Sequence, residues 1–343
     1  MRKLLNTLYV TTPDVYLSLD GENIVVKQED KILGRFPLHN FEGICTFGYA
    51  GVSPKLMGTC AERNISLTFF TRNGRYLARV TGEDRGNVVL RKEQYRRSND
   101  ERCSALLARN MIAGKLYNSK WILERATRDH PLRIDVDRFK RITASMSESL
   151  KIIRQVEDLD VLRGLEGTAA VQYFAVFDDL ILQQKEEFSF KGRSRRPPLD
   201  KVNALLSFTY ALLSNEMKSA LEGVGLDAYV GFLHRDRPGR ASLALDLMEE
   251  LRGVYADRFV LSLINKKLIQ GSGFLVKETG AVVMDDDTRK LVLKLWQEKK
   301  QESILHPYLG EKIAWGLVPH AQALLLARYL RGDLDEYPPF LWK

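Results

Sequence analysis

The sequence is poor in cysteine, histidine and long apolar runs. Its 343 residues include three cysteines and five histidines, and Cys45, Cys60 and Cys103 form no closely spaced pair of the metal-binding kind. No stretch approaches the roughly 20 apolar residues that a membrane-spanning helix needs, and the first residues lack the apolar core of a secretory signal. These absences argue against disulfide-rich, zinc-ribbon and membrane proteins, and they predict a cytoplasmic protein with reduced cysteines.

Several enzyme motifs are also missing, whereas positive charge is in excess. The sequence has no Gly-x-Ser-x-Gly elbow, no phosphate-binding P-loop and no cysteine–histidine signature. These absences argue against serine and cysteine hydrolases and against P-loop nucleotide hydrolysis. Lysine and arginine number 52 against 44 aspartates and glutamates, so the formal net charge is +8. That excess favours a polyanionic partner such as nucleic acid.

The pattern of apolar residues changes part-way along the chain. Residues 1–90 contain short β-rich runs separated by turn signals, which predict a β-rich domain. Residues 91–99 are rich in arginine and predict a linker. Residues 100–343 show mostly helical spacing, interrupted by a short hairpin near 273–284. We therefore expect an α+β protein in which a β-rich amino-terminal domain is joined to a larger all-α catalytic domain.

One segment, 231–252, combines the side chains of metal-assisted phosphate chemistry. His234 lies on a basic turn rich in proline and glycine, and the following helix carries Asp246 and Glu249, three residues apart and therefore on one face. Taken separately, a lone histidine and acidic helix residues are more often solvated or structural than functional. Together, beside several arginines, they indicate a divalent metal placed next to a phosphodiester.

Three segments taken together resemble a known family. They are residues 163–170 (RGLEGTAA), 195–210 (RRPPLDKVNALLSFTY) and 234–252 (HRDRPGRASLALDLMEELR). In this order, behind a β-rich region, they closely resemble the universal CRISPR-associated spacer-integration endonuclease, the first Cas protein of the adaptation complex. The resemblance covers essentially the whole chain and is closest to the type I-C branch.

The resemblance implies a metal site. Carried over by position, its ligands are Glu166, His234 and Glu249, with Asp246 as an adjacent acidic contributor to catalysis. Glu250 follows immediately, so either Glu249 or Glu250 satisfies the third position. Carboxylate ligands suit Mg²⁺, and an imidazole ligand shifts the preference toward Mn²⁺. Basic side chains near the motifs are candidates for contact with DNA phosphates through their guanidinium groups, namely Arg195, Arg196, Arg235, Arg237 and Arg240.

The resemblance also implies a function and partners. The family inserts short DNA fragments, called spacers, into a CRISPR array: a fragment 3′-hydroxyl attacks a phosphodiester at the edge of a repeat. The implied partners are double-stranded DNA, a second copy of the chain bound through the β-rich domain, and the small second CRISPR-associated protein. Two alternatives remain at this point: a stand-alone metal-dependent nuclease of branched or single-stranded DNA, and a non-catalytic DNA-binding scaffold.

Overall fold

The computed structural model describes residues 5–82 and 87–343, which form two compact units. The first unit contains residues 5–82 together with Met284–Glu302 and Ala314–Leu317. The second contains residues 87–283 together with Ser303–Ile313 and Val318–Lys343. The α+β class predicted from the sequence is confirmed, with a β-rich amino-terminal region followed by a mostly helical remainder.

Among the described residues, most strands lie before residue 81 and most helices lie after residue 87. The strands are β1 (Asn6–Val10), β2 (Tyr16–Asp20), β3 (Asn23–Gln28), β4 (Lys31–Pro37), β5 (Phe41–Phe47), β6 (Gly51–Val52), β7 (Ser66–Phe70), β8 (Tyr76–Val80), β9 (Phe274–Val276), β10 (Val282–Met284), β11 (Ser303–Leu305) and β12 (Lys312–Ala314). The helices are α1 (Pro54–Glu62), α2 (Val88–Ser98), α3 (Glu101–Asp129), α4 (Val136–Ile153), α5 (Leu159–Ala175), α6 (Lys201–Gly223), α7 (Ser242–Leu251), α8 (Arg258–Asn265), α9 (Asp286–Gln301) and α10 (Val318–Arg331).

The first unit is built on two four-stranded sheets. One has the order β1-β5-β7-β8, in which β1, β5 and β7 are parallel and β8 is antiparallel to β7. The other has the order β4-β3-β2-β6. Their shared apolar cluster includes fully buried Leu17, Ile24, Ile44, Leu56 and Leu67, so both sheets and helix α1 contribute to one core. Burial of such side chains is the main favourable term in the stability of this unit.

The predicted linker is a helix. Residues 91–98 lie within α2, whose first turn is capped by Asn87 through a hydrogen bond from the amide of Leu90. Glu93 forms ion pairs with Arg96 and Arg97 at helical spacing, so these charges stabilise the helix. Residues 91–98, predicted as a linker, are therefore helical and follow directly on the first residues of the second unit. The predicted boundaries also differ because α9 belongs to the first unit, although its sequence lies within 100–343.

The second unit surrounds the long helix α3. Helix α3 packs against α4, α5 and α7, and α6 packs against α7 and α10. Gly114 in α3 allows a close approach to α7: a Cβ atom there would lie 3.0 Å from the Cβ of Glu250. Helix α7 continues directly into a π-helical turn at Arg252–Asp257 and then into α8. Among the described residues, no helix is both long and apolar enough to cross a membrane.

Candidate metal centre

Buried Asp246 and half-buried His234 form a hydrogen-bonded pair in the second unit. Asp246 is fully buried in the second turn of α7, and its Oδ1 lies 2.5 Å from Nδ1 of His234. The same carboxylate accepts hydrogen bonds from the backbone amides of Phe232, Leu233 and His234, at 2.7, 2.9 and 3.0 Å. Asp246 therefore fixes both the loop that carries the histidine and the imidazole ring itself.

This contact determines which nitrogen of His234 can bind an ion. A carboxylate that accepts at Nδ1 holds the proton on that nitrogen, which leaves the lone pair on Nε2. A histidine that binds a metal generally uses its other nitrogen in this way. The close packing depends on Gly231, where a Cβ atom would lie 2.7 Å from Oδ2 of Asp246. Asp246 thus positions His234, and its own oxygens are occupied by the loop.

Glu166 and Glu249 meet at the ammonium group of Lys115. Glu166 lies in α5, Glu249 in α7 and Lys115 in α3, so three helices converge here. The Nζ atom of Lys115 forms an ion pair with Oε1 of Glu166 and lies 2.7 Å from Oε2 of Glu249. The other carboxylate oxygen of Glu249 is 3.0 Å from Nη2 of Arg252. Two negative side chains thus share a cation in a largely buried position.

The electrostatics keep Glu249 ionised. Burial raises its pKa, but the charges of Arg252 and Lys115, the hydrogen bond from Lys115 and the charge of His234 together lower that pKa to about 2. The carboxylate is therefore negatively charged at neutral pH, as a metal ligand must be.

Glu250 faces a different part of the molecule. Its carboxylate accepts hydrogen bonds from Tyr337, from Gln322 at 2.9 Å and from the backbone amide of Phe340 at 2.7 Å. Burial raises its pKa to about 7, although these three donors act in the opposite direction. Glu250 therefore anchors the carboxyl-terminal segment against α7. Of the two adjacent glutamates, Glu249 is the one beside Glu166.

A small pocket of about 40 Å³ opens next to the shared lysine. Lys115, Glu166, Arg195, Arg252 and Asp257 are among the residues that line it. Tyr210 also lines the pocket. The guanidinium carbons of Arg252 and Arg193 lie 5.2 and 5.3 Å from the centre of its ring. A guanidinium close to the face of an aromatic ring is attracted by the negative charge density of that face.

Asp257 lies at the inner side of this pocket. Its Oδ1 accepts a hydrogen bond of 2.6 Å from the hydroxyl of Tyr210. Burial raises the pKa of Asp257 to about 6, while hydrogen bonds from tyrosine hydroxyls and the nearby arginines act in the opposite direction. It lies on the π-helical turn, a local feature often found at functional sites. This acid was not among the residues suggested by the sequence.

The five arginines considered for DNA contact occupy different environments. Arg195 is exposed and lines the pocket, and Arg196 next to it is also exposed. Arg235 is exposed and pairs with Asp160 at 3.2 Å. Arg237 lies on the exposed loop before α7. The pKa of Arg240 is lowered by burial and by Arg237, whereas Asp246 and Glu249 raise it, which puts Arg240 within electrostatic range of the acidic pair.

The donor set suits a hard divalent cation. In the part of the chain that the structure describes, no three His, Cys, Asp or Glu side chains converge as metal ligands, so Glu166, His234 and Glu249 do not form one cluster. The two glutamates instead converge on a shared positive charge. Two ionised carboxylates, with an imidazole whose Nε2 is available, match the preferences of Mg²⁺ and Mn²⁺.

Comparison with known proteins identifies the family. The family described as CRISPR associated protein Cas1 matches residues 8–298. The chain belongs to the Cas1 family. It is 48% identical over 343 residues to CRISPR-associated endonuclease Cas1 1 of Chlorobaculum tepidum, and 49% identical over 347 residues to CRISPR-associated endonuclease Cas1 2 of Rhodospirillum rubrum. Both alignments cover all of this chain and all of the relative.

Solved structures share the Cas1 fold. A casposase bound to an integration product has a TM-score of 0.85 at 22% identity, over 99% of this chain and 95% of that one. A Cas6-RT-Cas1–Cas2 complex has a TM-score of 0.82 at 21% identity, over 100% of this chain and 36% of that one. At such identities the likeness concerns the fold.

Three residues of this Cas1 site were missed by sequence reasoning. Lys115 lies 51 positions before Glu166 and outside all three motif segments, and a lysine on an amphipathic helix carries no signal of its own. Asp257 likewise lacks a motif. Arg252 follows Glu249 by three positions, so helical spacing alone was enough to place it beside the acid.

Asn203, in the second motif, is buried and accepts hydrogen bonds from Arg193 and the amide of Ser194, so it organises the loop before α6.

Proposed function

We propose that this chain is a metal-dependent DNA integrase that inserts short double-stranded fragments into a CRISPR array. The observation that supports this most strongly is the convergence of Glu166 and Glu249 on Lys115, in a unit that also holds a histidine whose ring is fixed by Asp246. The names of the relatives, which are CRISPR-associated endonucleases, and the likeness to a casposase bound to an integration product support the same reaction class. The relation to the type I-C branch rests on the sequence motifs alone.

In this proposal, Glu166, Glu249 and Nε2 of His234 hold Mg²⁺ or Mn²⁺. A bound metal of this kind polarises a phosphodiester and stabilises negative charge on the attacking and leaving oxygens. Asp246 keeps the His234 proton on Nδ1 and so keeps Nε2 available. Arg252 holds Glu249 in place from the side opposite Lys115.

The arginines bind the phosphates of the nucleic acid. Arg195 lines the pocket and is exposed, so its guanidinium can pair with phosphate oxygens of an incoming strand. Arg196, Arg235, Arg237 and Arg240 extend the positive surface along the neighbouring loops.

In the reaction, the fragment 3′-oxygen loses its proton and bonds to phosphorus as the bond to the 3′-oxygen of the repeat strand breaks. That leaving oxygen then gains a proton.

The proposed assembly has two further components. A second copy of this chain binds through the β-rich unit, and the small second CRISPR-associated protein joins the dimers. The Cas1–Cas2 complexes among the structural relatives support a partnership of this kind. Sedimentation of the purified chain, alone and with that second protein, would measure both associations.

The test is a strand-transfer assay with His234→Ala. Loss of an orienting and metal-binding imidazole should abolish joining of a fragment to a repeat-bearing duplex, while DNA binding stays within a few fold. His39→Ala, an exposed histidine of the β-rich unit, is the matched control and should retain activity. Near-normal joining by His234→Ala would refute the site assignment.

Two additional arms of the assay separate the alternatives. Fragments with 3′-deoxy ends cannot act as nucleophiles, so an integrase should lose joining with them, whereas a stand-alone nuclease should continue to cleave. A chelator should stop either enzyme but leave a DNA-binding scaffold unaffected. Joining that requires both the 3′-hydroxyl and the metal supports integration; any other combination supports one of the alternatives.

A further inference from the structure

Lys115 occupies the position between the two acids that a metal would have to enter. Its ammonium contacts both Glu166 and Glu249, and its side chain is 14% exposed. A primary ammonium satisfies the same two negative charges that the proposed function assigns to a divalent ion. The lysine and the ion therefore compete for the same carboxylate oxygens.

The local charge balance leads to the same conclusion. Among the side chains joined by direct ion pairs, Glu166 and Glu249 carry two negative charges and Lys115 and Arg252 carry two positive charges, so these four balance. The Asp246 carboxylate, in contact with His234, adds one more negative charge nearby. A divalent cation added while both resident cations remain would leave excess positive charge in a largely buried site. Such charge is costly away from water. Entry of the metal therefore requires that one of the resident cations leave the acids.

Lys115 is the cation that can leave. Arg252 is also held by its position over the ring of Tyr210 and forms part of the π-helical turn. Lysine has a flexible four-carbon stem and a compact charge that can move to another anion, whereas the planar arginine fork is bound to its geometry. The loss of the Lys115 contacts requires only rotation of that stem.

We propose that Lys115 is a built-in counter-ion of the metal site, which holds Glu166 and Glu249 together without metal and gives way when a divalent cation binds. This rests on the proposed function, because it assumes a metal at these acids. The role is regulatory: Lys115 weakens metal binding in return for a site that is already assembled in the metal-free protein.

The experiment measures Mn²⁺ affinity of the full-length protein by calorimetry. Lys115→Met removes the competing charge and retains most of the apolar stem, so Mn²⁺ should bind about tenfold or more tightly than in the wild type. In chelator, the same variant should unfold at lower urea concentration, because two like charges are left together. Saturating Mn²⁺ should restore its midpoint. Lys120→Met is the matched control: it lies on the same helix but pairs with Glu124, and both properties should be unchanged.

A measurement on the wild type covers the case in which Lys115→Met fails to fold. Acetylation by acetic anhydride, followed by mass spectrometry, reports how accessible each lysine amine is. Saturating Mn²⁺ should raise the labelling of Lys115 severalfold relative to chelator, with Lys120 as the internal standard. Unchanged labelling of Lys115, or unchanged or weaker Mn²⁺ binding by a folded Lys115→Met protein, would overturn the inference.

A third variant separates this inference from the proposed function. Glu166→Gln removes a proposed ligand and should weaken Mn²⁺ binding at least tenfold. If it does so but Lys115→Met does not bind more tightly, only the counter-ion role is wrong. If Glu166→Gln binds Mn²⁺ like the wild type, the metal site itself is misplaced and both proposals fail.

Discussion

At the residue scale, Asp246 fixes the position and the tautomer of His234. The carboxylate accepts from three backbone amides and faces Nδ1 of the ring, so it sets both the loop and the tautomer. Helical spacing alone places Asp246 and Glu249 on one helix face without distinguishing them; only the family resemblance made Glu249 the ligand and Asp246 the adjacent contributor. Their difference arises from the loop before α7, which wraps over Asp246 and leaves Glu249 to face α5. Helical spacing predicts the shared face but contains no information about that loop.

Asp246→Asn should weaken metal binding by changing the tautomer of His234. The amide nitrogen would face groups that themselves donate, which favours the wrong tautomer and removes the lone pair from Nε2. Mn²⁺ affinity should fall about 10- to 100-fold, the usual loss when an outer partner of a metal-binding histidine is removed. Calorimetry measures this loss, with Asp160→Asn, an exposed acid that pairs with arginines, as the control. Wild-type affinity in Asp246→Asn would contradict the assignment.

Asp257 should make stability depend on pH. Burial raises its pKa from an ordinary 3.8 to about 6, so the folded protein holds this proton more tightly than the unfolded chain. The associated stability is fully present below pH 3.8 and is lost as pH rises through 6. The loss amounts to about 3 kcal/mol.

Asp257→Asn removes this titration while keeping an acceptor for Tyr210. Its free energy of unfolding, relative to the wild type, should increase between about pH 4 and 6.5 and level off above that range. Urea unfolding at a series of pH values measures the difference between the two proteins. A difference that does not change with pH would show that Asp257 is not perturbed as described.

At the element scale, the site depends on how closely α7 and its preceding loop approach their neighbours. Glu249 and Glu250 are consecutive, so their side chains point about 100° apart on the helix. Which one faces Glu166 is decided by Tyr337, Gln322 and Phe340, which bind Glu250 from segments more than 70 positions away. The sequence therefore predicted an acidic helix correctly but left this choice open.

Gly231→Ala tests the close approach directly. The new Cβ would lie 2.7 Å from Oδ2 of Asp246, so the loop or the helix must shift. We expect a loss of about 1–3 kcal/mol in the free energy of unfolding and a fall in strand transfer of more than tenfold. Gly58→Ala is the control, because a Cβ in that position of α1 meets nothing within 4 Å. Full activity in Gly231→Ala would show that this packing does not position the site.

At the scale of the whole molecule, the sequence predicted the fold class and the order of the β-rich and helical regions. It did not predict that α9 returns to the first unit, because helical spacing identifies a helix but not its partners. It predicted a linker at 91–99 without predicting its helix, in which Arg96 and Arg97 are paired with Glu93. Local patterns thus gave the elements, and contacts between distant segments determined their grouping.

The net charge of +8 should appear as salt-dependent DNA binding. If Arg195 pairs with one phosphate, Arg195→Ala should reduce the slope of log affinity against log salt concentration by about 1. Fluorescence anisotropy at several salt concentrations measures the slope, and Arg331→Ala, which removes an arginine paired with Asp333, should leave it unchanged. An unaltered slope in Arg195→Ala would remove this arginine from the DNA surface.

The most direct measurement is anomalous diffraction from crystals of the full chain soaked in Mn²⁺. We predict one strong peak about 2.0–2.3 Å from a carboxylate oxygen of Glu166, a carboxylate oxygen of Glu249 and Nε2 of His234, with the Lys115 ammonium displaced from the acids. A lysine that still joins the two glutamates, with manganese bound elsewhere or nowhere, would contradict the account.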